Sequence, residues 1–205
     1  MQQIKFIYFD VGGVLIKDFS GNNKWEEMKR DLGVTYETNS AFEAAWDTID
    51  EKVCIDFDVD GLIDAIRTIP GIKIPENYSM LDDFVNRFDF SPSIWPLVEQ
   101  ASKSFRMGLL TNMYPRMLDK IIQRRLIQKE YFDVIIDSCV VGLKKPQLEI
   151  FAIAQKAVNI KPSEILFIDN VAKNVDSAKS LGWQTLLFDP QDVNNSIQRL
   201  STLLI

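Results

Sequence analysis

Five short apolar runs constrain this chain more than any other feature. They are IKFIYFD (4–10), RMGLLTN (106–112), FDVIIDS (132–138), ILFIDN (165–170) and TLLFDP (185–190). Several are apolar almost throughout rather than alternating, the pattern of strands covered on both faces. Helical patterns separate the last four: PRMLDKIIQRRLIQKEY (115–131), PQLEIFAIAQKAVNI (146–160) and AKNVDSAKSLG (172–182), with DVNNSIQRLSTLL (192–204) beyond them. Pro115 suits a first helical turn and Gly182 a helix stop. This alternation predicts a doubly wound parallel sheet of the α/β class. Residues 18–95 break the rhythm. They read mostly as helices, in NKWEEMKRDLG (23–33), NSAFEAAWDTIDEKV (39–53), DGLIDAIRTI (60–69) and YSMLDDFVNRF (78–88). The simplest organisation is an α/β core of residues 1–17 and 96–205, with a helical domain of residues 18–95 inserted after the first strand.

Charge and composition remove several function classes. The 205 residues carry a net charge of −6, which repels a phosphate backbone and speaks against a nucleic-acid partner. The locally basic stretch with Arg116, Lys120, Arg124, Arg125 and Lys129 reads as a solvated helix face. There is no histidine, so Ser-His-Asp and Cys-His catalysis are excluded, and proton transfer falls to Asp, Glu, Lys, Tyr or water. Cys54 and Cys139 stand far apart, outside any metal-like spacing, as in a reducing compartment. The opening MQQIKFIYFD is too short and polar for a signal peptide, and no apolar run reaches membrane-spanning length. The expectation is a cytoplasmic protein with no membrane partner, its oligomeric state open.

Ligands of parallel sheets bind at the carboxyl ends of the strands. The first run ends on Asp10, the second on Thr111-Asn112 and the fourth on Asp169-Asn170, and GLKKP with Lys144 and Lys145 follows the third. Two carboxylates, a hydroxyl and a lysine would then meet at one sheet edge. Oxygen ligands of this kind suit Mg²⁺, while lysine and hydroxyl suit a phosphate. A carboxylate beside both is placed to attack phosphorus. A phosphorylatable receiver domain also uses Asp, Thr and Lys-Pro at sheet ends. It leaves the helical insertion unaccounted for and expects a second acidic pair near the first strand.

At these residues the chain resembles the haloacid dehalogenase-like hydrolase superfamily. FDVGGVL is similar to its first motif, LLTN to its second, GLKKPQLEIF to its third and ILFIDNVAKNVDSAKSLGW to its fourth. The resemblance implies Asp10 as nucleophile, Thr111 and Lys145 as phosphoryl-binding groups, and Asp169 as metal ligand with Asn174 at a familiar asparagine. It further implies Mg²⁺ held by Asp10, the Gly12 carbonyl, Asp169 and Asn170. Gly12, Gly13 and Asn112 become candidates for substrate contact, and residues 18–95 become an α-helical cap over a Rossmann-like core.

Two departures qualify this pattern. The usual phosphatase of the family has a second aspartate two places after the nucleophile, to protonate the leaving group and then activate water; here that place is Gly12. Loss of a general acid/base costs a rate factor of about 10²–10⁴. The fourth motif often carries two adjacent acids and here reads Asp169-Asn170. The leading expectation is a phosphatase for a small phosphorylated metabolite with a good leaving group, such as a sugar 1-phosphate, working through an aspartyl phosphate. The alternatives are a catalytically weak binding or regulatory protein, and a phosphonatase-like or dehalogenase-like enzyme.

DFDVDG (56–61) resembles the start of an EF-hand loop, but its twelfth place is Arg67 where a bidentate Glu belongs. The simpler expectation is an acidic turn with Asp60 capping the following helix. Trp25, Phe42, Trp46 and Phe57 are either pocket lining or, at helical spacing, core. Phe84, Phe88 and Phe90 read as packing.

Overall fold

Every residue of β1 (Phe6–Phe9) is buried, because β1 lies in the middle of a parallel sheet. The other strands are β4 (Arg106–Thr111), β5 (Val134–Asp137), β6 (Ile165–Asp169) and β7 (Gln184–Leu187), in the order β5-β4-β1-β6-β7. The computed structural model describes residues 3–49 and 52–204. All five apolar runs become these strands, and the fold is the doubly wound α/β class.

Alternation along β1 divides the core into two layers. Phe6 and Tyr8 face Phe151, Phe167 and Trp183, while Ile7 and Phe9 join the larger cluster that includes Met107, Leu109, Leu166 and Ile168. Tyr8 stacks on Trp183 at 5.7 Å, and its buried hydroxyl donates to the Ala154 carbonyl at 2.8 Å. Gly108 makes this possible: a Cβ there would sit 2.8 Å from both the Tyr8 ring and the Val134 carbonyl.

Between β1 and β4 the chain leaves through β2 (Ile16–Lys17) and returns through β3 (Asp89–Phe90), which pair antiparallel. Helices Lys24–Asp31, Tyr36–Asp47, Ile63–Arg67 and Met80–Arg87 lie between them. The second begins three residues before its expected start, where the Thr35 N–H donates to Thr38 Oγ1 at 2.8 Å. Residues 50 and 51 of that expected helix lie outside the described residues.

Three local expectations need correction. The run 115–131 is not one helix: it gives Met117–Gln123, then a 3-10 turn at Lys129–Tyr131. Arg125 adopts a left-handed φ of 56°, and the chain turns inward to bury Leu126 and Ile127. Pro115 precedes that helix, whose flanking Arg116 has φ 70°. Asp60 does not cap its own helix. Asp58 accepts from the Asp60 N–H, while the Asp60 carboxylate accepts from Ser79 Oγ and the Leu81 N–H at the head of the next helix. Arg116 pairs with Asp58 at 2.5 Å and with Asp60 at 3.2 Å, so a guanidinium occupies the face of the EF-hand-like acids.

Candidate active site

Strand register brings the distinctive residues together. Phe9 lies level with Leu109 and Ile168, so the residue just after β1, Asp10, falls beside the ends of β4 and β6. The Asp10 N–H donates to the Ile168 carbonyl at 2.9 Å, holding that residue on the sheet edge. Lys145 reaches this edge from the loop after β5. Asn112 clamps the loop with two hydrogen bonds at 2.9 Å, one accepted from the Lys145 N–H and one donated to its carbonyl.

The Lys145 ammonium has three partners for its three N–H bonds. It donates to the Leu110 carbonyl at 2.8 Å and to Asp169 Oδ2 at 2.6 Å, and lies 3.0 Å from Asp10 Oδ1. The lysine and both carboxylates are buried. Asp169 is tied further by the Val171 N–H at 2.7 Å on Oδ1 and by Asn174 Nδ2 at 3.0 Å on Oδ2. On Asp10, the Val11 N–H and Lys145 both contact Oδ1, and Oδ2 has no protein donor among the described residues.

Burial and the neighbouring Asp169 charge push the Asp10 carboxyl up to about 7, against the opposing pull of Lys145. Burial also works against the Lys145 ammonium, yet the two carboxylates hold its pKa above the ordinary lysine value. With both carboxylates ionised, two acids against one base leave this buried cluster one negative charge in excess.

A cavity of about 260 Å³ opens over the cluster. Its floor includes Asp10, Gly12, Thr111, Asn112, Lys145, Asn170 and Asn174. Thr111 Oγ1 is buried with no hydrogen-bond partner among the described residues. The walls are aromatic: Phe19, Trp25, Trp46, Phe84, Phe88 and Tyr114. Phe84 and Phe88 therefore combine packing with lining. Phe42 stays in the core, and Phe57 packs against Gly61. Gly13 is not part of this lining. Its φ is 70°, its N–H donates to the Ile16 carbonyl at 3.0 Å, and a Cβ there would lie 2.3 Å from Asn170 Nδ2. A residue absent from the expected set, Asp18, also lines the cavity, and burial pushes its carboxyl above the ordinary range. Only one signal in the sequence pointed to a gap that it would fill, the glycine at position 12.

The donors fit Mg²⁺. The two carboxylates, the Gly12 carbonyl and the Asn170 amide offer oxygen, and the excess negative charge favours a cation. Among the described residues no three His, Cys, Asp or Glu side chains gather as a metal site. A cation here would take two carboxylates at most and complete its shell with carbonyl, water and phosphate oxygens, which is the habit of Mg²⁺ rather than Zn²⁺.

The model of the haloacid dehalogenase-like hydrolases matches residues 4–182. The chain belongs to this family of hydrolases. It is 28% identical over 124 residues to the bifunctional epoxide hydrolase 2 of Rattus norvegicus, spanning 57% of this chain and only 22% of that protein. It is 30% identical over 107 residues to a D-ribitol-5-phosphate phosphatase of Bacteroides thetaiotaomicron, covering 50% of this chain and 51% of the relative. Its fold matches that of the HAD family enzyme bt-2542 of Bacteroides thetaiotaomicron, solved with magnesium and inorganic phosphate. That match has a TM-score of 0.71 and 23% identity over 91% of this chain and 95% of the other. Among the described residues no helix is long and apolar enough to cross a membrane.

Proposed function

We propose that this chain hydrolyses a small phosphorylated metabolite, using Mg²⁺ and a transient aspartyl phosphate, an acyl phosphate formed on Asp10. The observation that carries the reading is the buried Thr111 hydroxyl, without a partner among the described residues, in the cavity that Asp10 and Lys145 share. A buried hydroxyl without a partner is costly, and a phosphoryl oxygen would satisfy it. The likeness to a D-ribitol-5-phosphate phosphatase supports the same class of substrate.

Asp10 Oδ2, which has no protein donor among the described residues, is the oxygen available to attack phosphorus. Thr111 donates to a phosphoryl oxygen, and the charge of Lys145, anchored on Asp10, Asp169 and the Leu110 carbonyl, stabilises the negative charge that builds there. Asn112 keeps the Lys145 loop in place, and Asp169 orients the ammonium. When bound, Mg²⁺ would supply charge neutralisation at the phosphoryl group, held by Asp10, Asp169, the Gly12 carbonyl and Asn170. Residues 18–95 act as a cap whose aromatic walls exclude water and receive the leaving group. An aromatic wall suits a leaving group with a flat or C–H-rich face, such as the sugar of a sugar 1-phosphate.

The test is phosphate release from an aryl phosphate and from glucose 1-phosphate, with Mg²⁺ and with EDTA. Turnover should require the metal and disappear in Asp10→Asn. Turnover that survives either change rejects the reading, and absence of turnover on both substrates favours a binding protein on a hydrolase fold.

A further inference from the structure

Hydrolysis through Asp10 needs a group that gives a proton to the leaving oxygen and later takes one from water. The titratable side chains lining the cavity are Asp10, Asp18, Tyr114 and Lys145. Asp10 is committed to phosphorus, and all three Lys145 N–H bonds are engaged. A buried phenol such as Tyr114 is a poor base near neutral pH. Asp18 remains.

Its placement answers the anomaly at Gly12. A Cβ built on Gly12 would lie 2.3 Å from Asp18 Oδ2. From ordinary bond lengths, the carboxylate oxygens of an aspartate lie about 2.4 Å from its own Cβ. The Asp18 carboxylate therefore occupies the space that a side chain at position 12 would fill, and the glycine leaves room for it. The loop holds it there. The Ser20 N–H donates to Asp18 Oδ1 at 2.8 Å, Asn22 Nδ2 donates to the Asp18 carbonyl at 2.7 Å, and the β2–β3 pairing fixes the preceding residue, Lys17.

We infer that Asp18 is the general acid and base of this site, reaching from the start of the helical insertion into the place vacated at Gly12. The inference rests on the phosphatase reading. Asp10 Oδ2 forms a bond to phosphorus as the bond from phosphorus to the leaving oxygen breaks, and the Asp18 carboxyl passes its proton to that oxygen. The Asp18 carboxylate then takes a proton from water. The water oxygen bonds to phosphorus, the Asp10–phosphorus bond breaks, and free Asp10, inorganic phosphate and a protonated Asp18 result.

The experiment compares wild type, Asp18→Asn and the double variant Gly12→Asp/Asp18→Gly with Mg²⁺, on an alkyl phosphate and on acetyl phosphate. Acetyl phosphate needs no proton at its leaving group. Asp18→Asn should lose about 10²–10⁴-fold on the alkyl ester. On acetyl phosphate its first step should persist, giving a burst of about one leaving group per active site and a phosphorylated Asp10 that accumulates. The double variant should recover at least tenfold of the loss on the alkyl ester, which a merely structural role for Asp18 would not allow. Equal losses of Asp18→Asn on both substrates without a burst, or a loss under about threefold, overturn the assignment while Asp10-dependent turnover of the wild type keeps the phosphatase reading. A wild type without Asp10-dependent turnover overturns both.

Discussion

The sheet edge and the helical insertion meet across one cavity but are held by different forces. At the edge, Asp10, Lys145 and Asp169 interlock through charge, and each has further hydrogen bonds to the backbone or to Asn174. In the insertion, Trp25, Trp46 and Phe84 meet one another ring against ring, with centroids 4.9–6.0 Å apart. A buried charge left without any compensating charge is costly. Aromatic contacts contribute about 0.5–1.5 kcal/mol each beyond area burial, and neighbours can repack around a loss. In the proposed phosphatase reading, the difference puts the reacting groups on the sheet edge and the leaving-group pocket on the part that tolerates change.

The sharpest way to break this contrast is Lys145→Ala. It leaves two buried carboxylates facing each other and should destabilise the protein by about 3–5 kcal/mol as well as abolish turnover. Urea titration beside an activity assay would read both, and a small stability change would mean that the edge is less interlocked than the distances say.

Asp10→Asn should separate catalysis from stability. The folded state raises the Asp10 carboxyl from 3.8 to about 7, so the folded protein binds the extra proton in that window and loses stability as pH rises through it. Without metal, the asparagine variant should therefore melt higher than wild type at pH 8, with the gap closing toward pH 4. A gap that widens on acidification would reverse the assignment of burial and Asp169 as the cause.

Thr111→Val removes a hydroxyl that has no partner among the described residues, so its melting temperature should hold or rise while kcat/KM falls by about 10–100-fold. A destabilised variant with unchanged kinetics would place Thr111 in packing rather than in phosphoryl binding. The mildest effect belongs to the insertion. Trp46→Phe should cost under about 1.5 kcal/mol in stability and shift KM between leaving groups with little change in kcat. If kcat falls as steeply as with Thr111→Val, the insertion takes part in the chemistry beyond binding the leaving group.

Legibility followed the same division. Asp10, Thr111 and Asp169 could be read because each ends an apolar run, and parallel strands carry their ends to one edge. Position alone offered Lys144 and Lys145 together after the third run, and the choice of Lys145 came from the resemblance of GLKKP to the family's third motif. The roles of Phe84, Phe88 and Asp60 could not be read. Helical spacing marks a residue as inward-facing, and both a core and a cavity wall satisfy that pattern. Asp60 turned from its own helix to Ser79, Leu81 and Arg116, partners 19, 21 and 56 residues away. The break at Arg125 likewise answers to the burial of Leu126 and Ile127, which outweighs local helix preference.

The amino-acid sequence by itself determined the sheet, the order of its chemical groups and the gap at Gly12, because period, run length and strand-end position are local properties. Only the tertiary structure decided what fills the gap. Asp18 lies six residues past Gly12 in a loop without periodicity, and its carboxylate is aimed by turn hydrogen bonds and by the pairing of Ile16–Lys17 with Asp89–Phe90. That pairing closes a loop of some seventy residues, roughly, and no reading of the residues near Asp10 contains it.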